Sequence, residues 1–292
     1  MKKSIRILCL ILVVCLAASA SVFASALNAG DARAVIGADL SDSQISTVYN
    51  LFGISRGSVT ELRVTNAEER TYLNGLVDSS VIGTRSISCV YIELLGEGSG
   101  LQVETSNISW CTKDMYVNAL VTAGIDDAKV IVAAPFSVSG TAALTGIYKA
   151  YEDLTGTGIS EEAKLASTQE LVVTAELADE IGSYDAVTIV NELKLILDET
   201  VNMTDVELRT EIINIANEYN VYLDDGEISQ LIELCRSLEG LSDDELKAKV
   251  ESVQNTLQRV AEAKETATGI VSAVRNFFTA IGNFFANLFG RR

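Results

Sequence analysis

Lys129-Val130-Ile131-Val132-Ala133-Ala134 is an unbroken apolar run behind one lysine, and it is closed by Pro135, the only proline of the 292-residue chain. The run is short, rich in β-branched residues and bounded by a breaker, so it reads as a fully apolar strand core. Before it, Leu101–Thr105 has the same β-like character, and Thr112–Gly124 reads as a helix that Gly124 ends. After it, Ser139–Thr155 is helical, with Ser139 as its N-cap. Strand, helix, strand, helix over 101–155 predicts a crossover unit in a mixed sheet, right-handed by the general rule for such connections.

Working outward, Arg33–Ala38 reads as a strand and Ser41–Gly53 as a helix, capped by Ser41 or Asp42 and stopped by Gly53. Val59–Thr65 alternates as a half-buried strand does. Asn66–Val77 is a capped helix with Glu68 and Glu69 in its first turn, where the helix dipole favours acids. Arg85–Leu95 and Leu101–Thr105 flank Gly96-Glu97-Gly98-Ser99-Gly100, which reads as a hairpin loop. A phosphate-cradling glycine loop should open a helix, and here a β-like run follows instead. Beyond Thr155-Gly156-Thr157-Gly158 the β signal disappears, and helical patterns cover 160–181, 184–200, 204–220, 226–239 and 242–289. The expected fold is α+β. It comprises an α/β domain at 27–158 with a mixed sheet and the crossover unit, a helical domain at 159–268, and an amphipathic C-terminal helix at 269–292.

Residues 1–26 read as a cleavable secretory signal peptide. Lys2, Lys3 and Arg6 precede the apolar run Ile7–Ala18, and Ala24-Ser25-Ala26 offers the small-residue cleavage site. The run is shorter than the roughly 20 residues of a membrane span. Cleavage after Ala26 leaves 266 residues with 19 basic and 40 acidic side chains, a formal charge of −21. Such a surface meets phosphate backbones with like charge, so nucleic acid is excluded as a partner. The chain has no histidine, which removes the Ser-His-Asp and Cys-His arrangements and the usual zinc sites. No catalytic set, metal site or cofactor motif is expected. Outside the cell, Cys89 and Cys111 are candidates for a disulfide across the expected hairpin, with Cys235 left over; the alternative is three small buried hydrophobes.

Ser137-Val138-Ser139-Gly140 lies between a strand and a helix, where Ser137, Ser139 and Gly140 could hold a small ligand at a helix start. Asp126-Asp127, Asp224-Asp225 and Asp243-Asp244 are acid pairs without the alternation of a calcium loop; Val221 and Leu223 would occupy ligand positions of an EF-hand ending at Gly226. Glu93, Glu97 and Glu104 near the glycine loop are the candidates for carboxylate-dependent hydrolysis of a wall or carbohydrate substrate. The sharpest feature is 269–292, which has no acid and three arginines, Arg275, Arg291 and Arg292. Ile270, Val274, Phe277, Phe278, Ile281, Phe284, Phe285 and Leu288 recur at steps of three and four, and Phe289 extends the stripe. Burying roughly 600 Å² of such a face is worth on the order of 15 kcal/mol before ordering costs. That suffices for packing against the helical domain, for self-association, or for a membrane interface whose anionic lipid the arginines would meet.

Three stretches are distinctive together: Val35-Ile36-Gly37-Ala38-Asp39-Leu40, Tyr116-Val117-Asn118-Ala119 with Thr122-Ala123-Gly124-Ile125, and Val130 through Gly146. They resemble the YpuA-like family of exported proteins from Gram-positive bacteria, a domain of unknown function. The resemblance covers most of the chain after the signal peptide and is weakest beyond about residue 240. It implies a secreted or envelope-associated protein and carries over no catalytic residue. The expected role is therefore a cell-envelope structural or interaction protein. Its partners would be the membrane surface, an envelope protein or a second copy. The carboxylate hydrolase and a small-anion or cation-binding module are the alternatives.

Overall fold

The computed structural model describes residues 29–77 and 79–268. The expected signal peptide and the stripe Ile270–Phe289 lie outside the described residues. The sheet has five strands: β1 (Ala32–Gly37), β2 (Thr60–Val64), β3 (Cys89–Leu94), β4 (Gln102–Ile108) and β5 (Ala128–Val138), in the order β2-β1-β3-β5-β4. β1 and β2 are parallel, β4 and β5 are parallel, and β3 runs antiparallel to β1 and β5, between which it lies. Two strand–helix–strand units result. One is joined by α1 (Asp42–Phe52) and the other by α4 (Lys113–Thr122), the crossover expected over 101–155. The mixed sheet followed by helices agrees with the expected α+β class.

The glycine loop is not a hairpin. β5 stands between β3 and β4, so the connection must pass beneath the start of β5, across two strand spacings of about 4.8 Å each. Asp127, immediately before β5, grips the passing loop: its carboxylate accepts the N–H groups of Gly98 and Gly100 at 3.0 and 2.7 Å. Composition explains the placement. β3 and β5 are apolar on both faces and occupy the covered centre, while β4, with Gln102, Glu104 and Ser106, is an edge strand.

Side-chain alternation divides the core between the two faces. Ala34, Ile36, Cys89, Tyr91, Ile131 and Ala133 pack on Val48, Tyr49 and Phe52 of α1. Val35, Val90, Ile92, Val130 and Val132 pack on the opposite layer, with Tyr116 and Leu120 of α4 and Leu144 and Ile147 of α5 (Ala143–Thr155). This corrects the expected disulfide. Cys89 belongs to the α1 face and Cys111 to the other, so the sheet lies between them, and both are free and buried, as is Cys235. Burial pushes all three thiols up to about 12.

Two short helices, α2 (Asn66–Leu73) and α3 (Ser79–Ile82), precede β3. The helical half comprises α6 (Glu161–Ile181), α7 (Ser183–Leu195), α8 (Leu197–Thr200), α9 (Asp205–Glu218), α10 (Asp225–Leu238) and α11 (Asp244–Thr268). Capping boxes at Ser41, Thr65, Thr204 and Asp224 start α1, α2, α9 and α10. The composition change near residue 158 does not divide the core: Leu171, Ala175 and Val187 share a cluster with Val35 and Val130. A second core, with Ile189, Leu193, Ile212, Leu231 and Leu234, holds the outer helices.

Between the helices runs a buried polar chain. Lys194 and Glu170 are an ion pair at 2.8 Å with almost no exposure, and Thr122 donates its hydroxyl to the second oxygen of Glu170. Lys194 also donates to the carbonyl of Asn118 at 3.3 Å. Asn118 donates to Asn191, Asn191 to Gln254, and Gln254 to Glu192, which also accepts the Tyr219 hydroxyl. These contacts set the register of α4, α6, α7 and α11. One atom of the chain, Asn118 Oδ1, is buried without a partner.

Candidate functional site at the carboxyl rim of the sheet

β1, β2, β4 and β5 all point the same way, so their carboxyl ends share one rim with the start of β3. Open α/β sheets bind ligands outside such a rim, where the loops are free to differ while the strands hold them in place. A cleft of about 630 Å³ lies there, between the approach to β3, the end of β5 and α6; Arg85, Ser88, Trp110, Ser139, Thr141 and Asp179 line it.

The rim is built by close backbone approaches. Any Cβ on Gly37 would stand 2.4 Å from the Ser86 carbonyl oxygen. Gly140 has φ +101°, and a Cβ there would lie 2.6 Å from the Tyr116 hydroxyl, which donates to the Gly140 carbonyl at 2.6 Å. Gly146 lets α5 settle against Val35 and Val90. One residue from each of the three distinctive stretches, Gly37, Tyr116 and Gly140, thus stands at this rim for reasons of packing.

β5 runs past Pro135 to Val138. Ser106 pairs with Ala133 and Ile108 with Val138, so β5 carries a bulge that accommodates a residue with no N–H to donate. Asn107, at φ +59°, anchors the bulge by donating its amide to the Ala134 carbonyl at 2.8 Å. The bulge leaves Phe136 and Ser137 exposed, so Ser137 stands outside the cleft that Ser139 lines.

Ser139 is not the helix cap. α5 begins at Ala143, Ala142 precedes it, and no side chain bonds its first turn. The segment before it is pinned by the Cys111 N–H on the Ser139 carbonyl at 3.1 Å and by the Ala143 N–H on the Gly140 carbonyl at 3.0 Å. Thr141 is 2% exposed and Ser88 5%, yet neither hydroxyl has a hydrogen-bond partner among the described residues. Arg85 is exposed at the mouth and donates to the Asp39 carbonyl at 2.9 Å. Trp110 Nε1 donates to Asp179 at 2.7 Å.

Behind this lip sits Glu69, fully buried. Its carboxyl accepts the Ser86 hydroxyl at 2.5 Å and the Asn66 amide at 3.3 Å. Burial pushes its pKa up to about 7, reinforced by Asp39 and Glu68 and opposed by the two hydrogen bonds. Asp39 in turn accepts the Ser86 N–H at 2.7 Å. The sequence placed Ser139 and Gly140 at this rim but missed Arg85, Ser88, Trp110, Thr141, Asp179 and Glu69. Glu69 carried a signal, an acid in the first turn of a helix, that pointed to the dipole and not to burial.

Several of the other expected acids have structural partners. Glu93 accepts the Tyr91 hydroxyl at 2.9 Å, and β5 separates it from Glu104. Asp126 pairs with Lys249 at 2.9 Å, Asp224 caps α10, and Asp243 accepts the Leu246 N–H at 2.7 Å. Among the described residues no group of three or more Cys, Asp or Glu is placed to hold a metal ion. A larger groove, about 750 Å³, lies between β4, α4 and α11. Asp126, Asp127 and Lys249 on its wall are all engaged, so the rim cleft is the better candidate.

Residues 36–270 match a family model described as a protein of unknown function, DUF1002. The chain belongs to this family. The match takes in the whole rim from Gly37 through Gly146. The chain is also 37% identical over 263 residues to the uncharacterized protein YpuA of Bacillus subtilis (strain 168), covering 89% of this chain and 90% of that one. No solved structure matches it.

Proposed function

We propose that this DUF1002 protein is exported and acts at the cell envelope as an interaction protein, held at the membrane surface by residues 269–292. The distribution of charge carries this reading. Three of the 22 basic residues precede residue 27 and three follow residue 268, leaving 16 against all 40 acids in between. Against that background an acid-free segment with five phenylalanines and three arginines is a change of chemistry suited to an anionic lipid interface. Attachment in this reading is peripheral, because Ser272, Asn276, Asn283 and Asn287 give the segment a polar face.

Flotation with vesicles tests it. Chain 27–292 should float with anionic vesicles and less with neutral ones, and salt should weaken the binding. Replacing Phe277, Phe278, Phe284 and Phe285 by serine should abolish flotation while the circular dichroism of the body is unchanged. A wild-type chain that stays at the bottom of the gradient with both lipids rules out membrane attachment.

A further inference from the structure

We propose that the rim cleft is a binding site for a compact oxyanion, the phosphate or carboxylate group of a small solute, held at the start of α5. α5 is 13 residues long, and no side chain caps its first turn; the Ala143 N–H is taken by the Gly140 carbonyl, which leaves the N–H groups just behind it as donors for an anion. A helix start alone would be a weak indication. Thr141 and Ser88 supply the second, independent observation. Both residues line the cleft, both are more than nine-tenths buried, and neither hydroxyl has a hydrogen-bond partner among the described residues. Neither hydroxyl is among the fully buried unpaired atoms, so both keep some exposure, and on the wall of the cleft they are donors open to a ligand.

Charge agrees. The chain carries −18 overall, yet Arg85 stands at the mouth, and Arg70 donates to the carbonyl of Gly83, a residue of the lining. The acid on the wall, Asp179, is engaged by the Trp110 indole N–H. The donors are also held in place beforehand. Tyr116 fixes Gly140, Cys111 fixes Ser139, and Asp39 and Glu69 fix Ser86 at the root of the Arg85 loop. A site whose donors are already ordered loses little entropy on binding. The volume suits a small solute, with the Trp110 ring as an apolar wall for the rest of the molecule.

Trp110 is the only tryptophan in the chain, so its fluorescence reports from the cleft itself. The purified protein is titrated with inorganic phosphate, sodium acetate and sodium chloride at matched ionic strength. A saturable change with phosphate or acetate, and none with chloride, is the expected result; the stronger of the two identifies a phosphorylated or a carboxylated solute. R85A and T141V should each weaken the apparent affinity about tenfold, the loss of one hydrogen bond to a charged group. K113A, in the other groove, should leave it unchanged. Arg85 is exposed, so R85A decides the matter if T141V folds poorly. No saturable response to either oxyanion, an equal response to chloride, or wild-type affinity in R85A overturns the proposal.

Discussion

Lys194 and Thr141 are both buried polar side chains, one in the helical layer and one at the sheet rim, and among the described residues only Lys194 has side-chain hydrogen-bond partners. In the helical layer nearly every donor meets an acceptor: Lys194 and Thr122 serve Glu170, and the amides of Asn118, Asn191 and Gln254 pass the pattern on to Glu192. At the rim the backbone is pinned just as firmly, by Tyr116 and Gly140, but the hydroxyls that face the cleft are left over. A buried polar group satisfied by its neighbours specifies packing. One left unsatisfied on a rigid wall is a group that the fold has ordered without using.

The strongest test of the first half of that contrast is Lys194→Met. It keeps the length of the side chain and leaves Glu170 buried and uncompensated, which should cost about 3–5 kcal/mol. The double variant K194M/E170L removes both charges and should recover most of the loss, because a dry apolar pair avoids the desolvation that the ions suffer. Urea unfolding gives both numbers. Equal stability of the single and double variants would mean that Glu170 finds other compensation and that the pair does not set helix register.

Glu69 belongs to neither extreme, being bonded and yet buried without a cation. Its folded pKa of about 7 lies above the ordinary carboxyl value, so the folded state holds its proton more tightly than the unfolded chain does. The stability this contributes is complete below the unfolded pKa, near 4.5, and is lost as pH rises through 7. A shift of that size corresponds to on the order of 3 kcal/mol between pH 4.5 and 8. In Glu69→Gln, which cannot ionise, the slope of stability against pH should flatten by that amount. Burial also raises the pKa of Glu192, so a residual slope of the same sign should persist. An unchanged slope would place the titration elsewhere.

The sequence was readable where local pattern and burial coincide. The apolar run at Val130–Ala134, the alternation at Val59–Thr65, the cap signal at Ser41 and the first-turn acids Glu68 and Glu69 each describe an element that the structure contains. Pairing between strands was not readable. Glycines between two β-like runs signal a hairpin, and only the apolar character of β3 and β5 set against the polar alternation of β4 puts β5 between them. The disulfide expectation failed with the hairpin, since it relied on the same adjacency. At the site, Ser139 and Gly140 were visible because they follow a strand. Ser88, Trp110 and Asp179 come from three different elements, and only the tertiary fold assembles them.

The smallest expected effect is the most telling. Thr122→Val and Thr141→Val delete the same atom from two threonines that are almost equally buried, at 5% and 2% exposure. Thr122 donates to an ionised carboxylate inside the helical layer, so its loss should destabilise the protein by about 2 kcal/mol. Thr141 has no hydrogen-bond partner among the described residues and its hydroxyl keeps some exposure, so thermal stability should move by no more than about 0.5 kcal/mol in either direction. Burial alone would predict equal losses; partnership predicts a difference of roughly fourfold. If T141V proves as costly as T122V, the rim hydroxyl is part of the fold, and the cleft loses the donor that distinguishes it from an ordinary crevice.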